Sequence, residues 1–424
     1  MNNLEPKGDH GMPGHTLVLD ENTVGQGQLI REVIQRRIAA GAAVFVVGAS
    51  IDESLLGTMI GASTAVGRGA DLLIVNPGSP ALSHTYNPVL HTAPTKVASH
   101  VLNFLADQDA TAGHDSTPTA ALVRAIVSSL QLAGLPYSYL DLGMFVMKPD
   151  AISALVEHMA TAFPRSVQLG ALQQACKAFQ GVDGDICAEK LKGRFSGLAG
   201  SMCMLGAGRA GEVFNSYQPD VVLHEALLTR KIVYLAIPYI GRGQAASNLR
   251  RIVISNLADA VLRSIGEPGA PTALAVFTDP GGCNDPSIEQ LLSPETEQVL
   301  SVWVAAGSLD DLGRESLDLR EACLSRARNL VLFKPQSESA AQVYSQLLPT
   351  DPEQDQGTAD VMQKLLSMSP TDYAIVSGEH QVTWASVVAQ GESRVATAAD
   401  IRRPTRRQHV RMAGADQFTQ TVPV

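Results

Sequence analysis

Residues 16–47 read TLVLDENTVGQGQLIREVIQRRIAAGAAVFVV, and three periodicities follow one another within them. Leu17, Val18 and Leu19 form a short apolar run, Asp20 to Gly27 form a turn, and Leu29, Ile30, Val33, Ile34 and Ile38 recur at helical spacing. Gly41 ends the helix, and Ala43 to Val47 make an unbroken apolar run of the kind buried on both faces of a sheet. The stretch therefore reads as strand, loop, helix, strand. A second helical stretch, Leu55 to Val66, leads to a third apolar run, Leu72 to Val75. The chain opens as βαβαβ with short connections, which predicts a parallel sheet covered on both sides.

From about 98 to 215 the strand-like runs stop and helical periods replace them, as in Ala120 to Leu132 and Ala151 to Ala162. Strand-like runs return at Ile232 to Ile237, Leu274 to Phe277, Val302 to Ala305, Leu330 to Phe333 and Tyr373 to Val376. The expected class is α/β, with a parallel-rich central sheet interrupted by an all-α insertion and then completed. Residues 1–15, rich in Gly, Pro and His, read as a flexible lead-in. Residues 16–97 and 216–398 read as the two parts of the sheet domain, and 98–215 as the inserted all-α domain. Residues 399–424 read as a basic tail carrying Arg402, Arg403, Arg406, Arg407 and Arg411.

Composition narrows the function classes. With 45% hydrophobic and 17% charged residues the chain is globular rather than disordered. No run of apolar residues is long enough for a membrane span, and the first thirty residues lack the apolar segment of a signal peptide. A cytoplasmic protein is expected, reaching the inner membrane only through partners. The five cysteines, Cys176, Cys187, Cys203, Cys283 and Cys323, are odd in number and without close pairs, so they read as reduced thiols. The histidines show no metal spacing, and no metal site is assigned. A net charge of -10 disfavours nonspecific attraction to DNA. A local patch, Lys190, Lys192 and Arg194 or the basic tail, leaves DNA binding open. Arg250 and Arg251 lie in a largely apolar helix and read as helix solvation or a subunit contact.

The loop after the first strand lies where phosphate-binding loops lie, because backbone N–H groups and a helix N-terminus together attract an anion there. That motif wants Gly, four residues, Gly, Lys, and Ser or Thr. The same slots hold Asp20, Gly25, Gln26 and Gly27. Without lysine no cation meets the β- and γ-phosphates, and without a hydroxyl at Gly27 Mg²⁺ loses its protein ligand. Two readings stay open: an ordinary turn without ligand, or a vestigial nucleotide site built on Thr23, Gly25, Gln26 and Gly27. A second acidic motif belongs at the end of a hydrophobic strand. Ala273 to Thr278 supply the strand and Asp279 the acid, but Pro280 stands where a catalytic Glu would activate water. Asp279 is a vestigial metal-holding acid or simply the start of the turn Asp-Pro-Gly-Gly.

The order of elements, with Tyr86-Asn87-Pro88-Val89-Leu90 after the third strand and Val213-Phe214-Asn215-Ser216-Tyr217 at the return to the sheet, resembles the coupling proteins of conjugation and type IV secretion, of the TraD/TraG type. The passage from Leu227 to Pro238, the helix Ala245 to Ala260 and the stretch Ala322 to Thr350 extend that resemblance over about residues 16 to 395. The resemblance implies a RecA-like P-loop NTPase fold, and a family of membrane-anchored hexameric ATPases that pass DNA or protein to a secretion channel. It also implies departures. Gln26 and Gly27 replace the family's Lys and Thr, Gly48 and Ser50 stand where Asp and Lys are favoured, Pro280 replaces Glu, and Gly307 replaces a sensing Gln. The expectation is a degenerate, non-hydrolysing member acting in substrate recruitment or assembly, with apparatus proteins or an active coupling ATPase as partners, in a homo- or hetero-oligomer. An active ATPase remains an alternative, with ATP and Mg²⁺ held through Arg209, Arg242 or a neighbouring subunit. So does a DNA-binding subunit without chemistry.

Overall fold

The computed structural model describes residues 14–106, 117–237, 244–267, 272–278, 286–312, 319–348, 358–370, 372–377 and 381–386. The chain opens with β1 (Thr16–Leu19), α1 (Val24–Ala39), β2 (Ala43–Gly48), α2 (Glu53–Ala65) and β3 (Leu72–Val75). Seven helices follow: α3 (Pro94–Ala106), α4 (Thr117–Leu132), α5 (Tyr139–Met147), α6 (Pro149–Ala162), α7 (Val167–Cys176), α8 (Ala188–Gly206) and α9 (Gly208–Phe214). The alternating pattern resumes with α10 (Leu223–Leu228), β4 (Ile232–Ala236), α11 (Gln244–Ser264), β5 (Ala273–Phe277), α12 (Pro286–Leu291) and β6 (Leu300–Ala306). It closes with α13 (Leu319–Arg326), β7 (Asn329–Phe333), α14 (Glu338–Leu347), α15 (Thr358–Ser367), β8 (Asp372–Ser377) and β9 (Gln381–Ser386).

Two compact units result. Among the described residues, the first comprises those of 14–74, 223–237 and 253–386, and the second those of 75–222 and 244–252. The sheet has the order β3-β4-β2-β5-β6-β1-β7-β8-β9. β1 lies between β6 and β7, parallel to both, with Leu17 opposite Val304 on one side and Leu330 on the other. Strands β7, β8 and β9 pair antiparallel. The first three strands are therefore not neighbours, as the opening βαβαβ pattern alone would suggest, because strands from beyond the helical stretch enter between them. Strand β9 has no counterpart among the runs expected from sequence.

The central strands are apolar throughout because water reaches neither face; every residue of β1, β2, β4 and β5 is buried. On one face Leu29, Ile30, Val33, Ile34 and Ile38 of α1 and Leu55, Leu56, Met59 and Ile60 of α2 pack on Val18, Val44, Val46, Tyr234, Val276 and Trp303. Each such side chain contributes about 1.5–3 kcal/mol of burial. α1 stops because Gly41 takes φ +75°, and the Gly41 and Ala42 N–H groups donate back to the Ile38 and Arg37 carbonyls. α2 starts at Asp52, whose carboxylate accepts from the Leu55 N–H at 3.0 Å.

His15, placed in the lead-in by sequence, belongs to the core and is fully buried. Its Nδ1 accepts from the Val302 N–H and its Nε2 faces the Ser293 carbonyl, so the neutral ring with its proton on Nε2 fits both. Within the second unit α5 packs along α8, and α4 against α3 and α7. Arg250 is buried at 1% exposure, which corrects its reading as a solvating residue. The basic tail lies outside the described residues.

Candidate functional site

β1 ends at the middle of the sheet, and its C-terminal edge carries the loop. The Asp20 N–H continues the ladder to the Ala306 carbonyl at 3.1 Å, after which the Asp20 carbonyl accepts from the Thr23 N–H and the chain turns into α1. Thr23 takes φ 60° and makes no side-chain cap. That left-handed conformation is costly for a β-branched residue, so its surroundings must hold it.

The Asp20 side chain, 1% exposed, turns into the loop. Its Oδ1 accepts from the Asn22 N–H at 3.0 Å and its Oδ2 from the Gln26 N–H at 2.9 Å. Gln26, in the lysine slot, is also buried. Its Nε2 donates to the Val18 carbonyl at 3.2 Å and the Ala306 carbonyl at 3.0 Å, tying the first turn of α1 to the ends of β1 and β6. A side chain held this way is committed to the backbone of the sheet and carries no charge to offer a phosphate.

The two glycines differ. A Cβ on Gly25 would stand 2.3 Å from the Phe333 ring and 2.8 Å from the Pro370 carbonyl oxygen. Gly25 is needed to seat the helix start against the end of β7, which accounts for it without a phosphate. A Cβ on Gly27 would meet only the Arg31 guanidinium, at 3.4 Å.

Three carboxylates, Asp20, Glu21 and Asp311, act on Tyr344, while the Arg31 guanidinium stands beside Gly27. Tyr344 of α14 is buried and its hydroxyl has no hydrogen-bond partner among the described residues. Burial first, and then Glu21, Asp20 and Asp311, push its ionisation far up. Glu21 accepts from the Gln336 N–H, and Asp311 from the Ser308 N–H at 2.9 Å. Gly307 lies close beside Asp311: a Cβ there would stand 2.9 Å from the Asp311 Oδ2. Sequence reasoning missed Glu21, Asp311 and Tyr344; the Asp-rich Ser308 to Asp311 turn after β6 was the available signal.

The second-strand loop is equally closed. A Cβ on Gly48 would meet the Thr278 hydroxyl at 2.6 Å. The Tyr234 hydroxyl receives the Asp52 N–H at 2.9 Å and reaches the Ser50 carbonyl at 3.3 Å, and burial pushes its pKa up to about 12. Asp279, Pro280 and Arg242 lie outside the described residues. Arg209 is exposed on α9, in the second unit. Among the described residues no group of His, Cys, Asp and Glu could hold a metal ion, and no helix is long and apolar enough to cross a membrane.

Two of the segments that carried the resemblance, the stretch from Tyr86 to Leu90 and the stretch from Val213 to Tyr217, meet inside the second unit. Asn87 donates from Nδ2 to the Tyr137 and Ser216 carbonyls, both at 2.9 Å, and accepts the Val89 and Leu90 N–H groups at Oδ1. The Tyr86 N–H donates to the Val213 carbonyl, and its ring packs edge-on to Phe214 at 6.5 Å. These residues form a structural seam.

A parallel-rich nine-stranded sheet, with eight helices among the described residues between β3 and β4 and a strand–turn–helix on its central strand, is the RecA-like P-loop NTPase class of fold. In particular, the chain has the fold of the bacterial conjugative coupling protein TrwB. Its structure with ADP and Mg²⁺ matches with a TM-score of 0.61 at 13% identity, over 92% of this chain and 88% of that one. The complex of TrwB with a non-hydrolysable GTP analogue matches with a TM-score of 0.61, also at 13% identity, over 91% and 88%. VirB4 of Thermoanaerobacter pseudethanolicus matches with a TM-score of 0.52 at 13% identity, over 89% and 90%. No protein-family model matches the chain, and no curated protein matches it.

Proposed function

We propose that this chain is a non-hydrolysing subunit of a conjugative or type IV secretion apparatus, acting in substrate recruitment or assembly on a coupling-protein fold. Its partners are apparatus proteins, among them an active coupling ATPase, and its association with the membrane runs through them. The observation that carries the loss of hydrolysis is Gln26. The residue in the lysine slot is uncharged, buried, and committed to the Val18 and Ala306 carbonyls. With glycine in the next slot, neither the phosphate charge nor the Mg²⁺ coordination has a partner from this loop. The likeness in fold to TrwB and VirB4 supports the setting.

One observation favours a second reading, a working ATPase. Arg31, one turn along α1, brings a guanidinium to the open side of Gly27, and the TrwB complexes hold nucleotide. The two readings separate on calorimetry with ATP and Mg²⁺, run on the wild type and on a Gln26→Lys, Gly27→Thr variant. Absence of heat in the wild type supports the first reading; wild-type binding that Arg31→Ala abolishes supports the second. A DNA-binding role through the basic tail is tested separately, by salt-sensitive DNA binding that disappears on deleting residues 400–424.

A further inference from the structure

The bonds of the Asp20 carboxylate go beyond the loss of a lysine. Backbone N–H groups at a helix start carry partial positive charge and favour an anion. In this loop the Asn22 and Gln26 N–H groups already meet one, at 3.0 and 2.9 Å, and it belongs to the chain itself. We infer that Asp20 is a built-in anion that holds the loop closed, so that its conformation does not respond to phosphate or nucleotide. The inference rests on reading this loop as a phosphate-binding loop that has lost its ligand.

Four features of the loop point the same way. The carboxylate is tethered within the same short loop as the N–H groups it meets, so an incoming phosphate competes with a group at high effective concentration. Thr23 is kept in the left-handed region, a backbone cost that the Asp20 bonds on either side of it offset. Gln26 clamps the first turn of α1 to β1 and β6 from below, and Gly25 is pressed against Phe333. Glu21 and Asp311, beside the same strand ends, add repulsion toward any anion from solution.

The test is chemical rescue, read as a melting temperature and as amide exchange. The full chain should give the same melting temperature with and without inorganic phosphate or ATP with Mg²⁺. Asp20→Gly should melt about 4–8 °C lower, the size expected for losing two charge-assisted hydrogen bonds in a domain of this class. Formate or inorganic phosphate should recover part of that loss in the variant, while chloride should not. Absence of recovery, or stabilisation of the wild type by phosphate, would overturn the inference. If the variant does not fold, amide hydrogen exchange on the wild type decides. The Asn22 and Gln26 amides should be protected to the same degree with and without ATP and Mg²⁺, and rapid or nucleotide-dependent exchange there refutes a closed loop. These measurements read the loop alone, so they succeed or fail independently of any role in secretion or conjugation.

Discussion

At Gly25 and Gly27 the two glycines of one short motif are separated by what surrounds them. Gly25 has no room for a methyl group beside the Phe333 ring and the Pro370 carbonyl, so Gly25→Ala should cost about 2–4 kcal/mol in denaturant unfolding. Gly27 faces Arg31 with space to spare, so Gly27→Thr should change stability by less than about 1 kcal/mol. The reverse order would mean that the helix start is seated differently. At this scale the sequence made the absences legible: a lysine and a hydroxyl are missing from known slots. It did not reveal that Gly25 persists through packing or that Asp20 turns inward. Both depend on side chains brought in by β6, β7 and α14, whose position no local pattern encodes.

Elements are held by buried polar groups whose charge state and donor pattern matter. Asn87 makes four hydrogen bonds that join the turn after β3 to the segments before α5 and after α9. Asn87→Asp removes the two donors and sets a carboxylate against the Tyr137 and Ser216 carbonyls. We expect a loss of about 3 kcal/mol or more in urea unfolding, larger than for a surface Asn→Asp change. His100 on α3 titrates in the opposite sense from a salt-bridged histidine. Burial, with a smaller contribution from Lys96, lowers its pKa from 6.5 to about 4. The unfolded chain therefore takes up the proton first, and stability falls as pH drops from 6.5 towards 4, with no contribution above neutrality. The buried His15 acts in the same direction. Melting temperature against pH should decline below about 6.5, and His100→Leu should flatten part of that decline; an unchanged profile in the variant would place the titration elsewhere. Element type was legible wherever an apolar period was long, as in α1, α2 and the central strands. β9 was not, because Gln381-Val382-Thr383-Trp384-Ala385-Ser386 is short, mixed in polarity and paired at the sheet edge.

For the whole molecule, the alternation of strands and helices made the class of fold readable, and the order of short segments made the likeness to coupling proteins readable at an identity where no family model matches. Strand order was beyond reach, because β4, β5 and β6 enter between strands that are close in sequence. The same separation explains why the state of the site could not be read: the loop of β1 is completed by the ends of β6 and β7. On the function proposed above, the molecule keeps a nucleotide-binding fold whose loop no longer receives nucleotide. Isothermal titration of the purified chain with ATP and Mg²⁺ tests that claim most directly. The expected result is no heat of binding and no hydrolysis in the wild type; saturable binding with phosphate release would contradict it and restore a working motor.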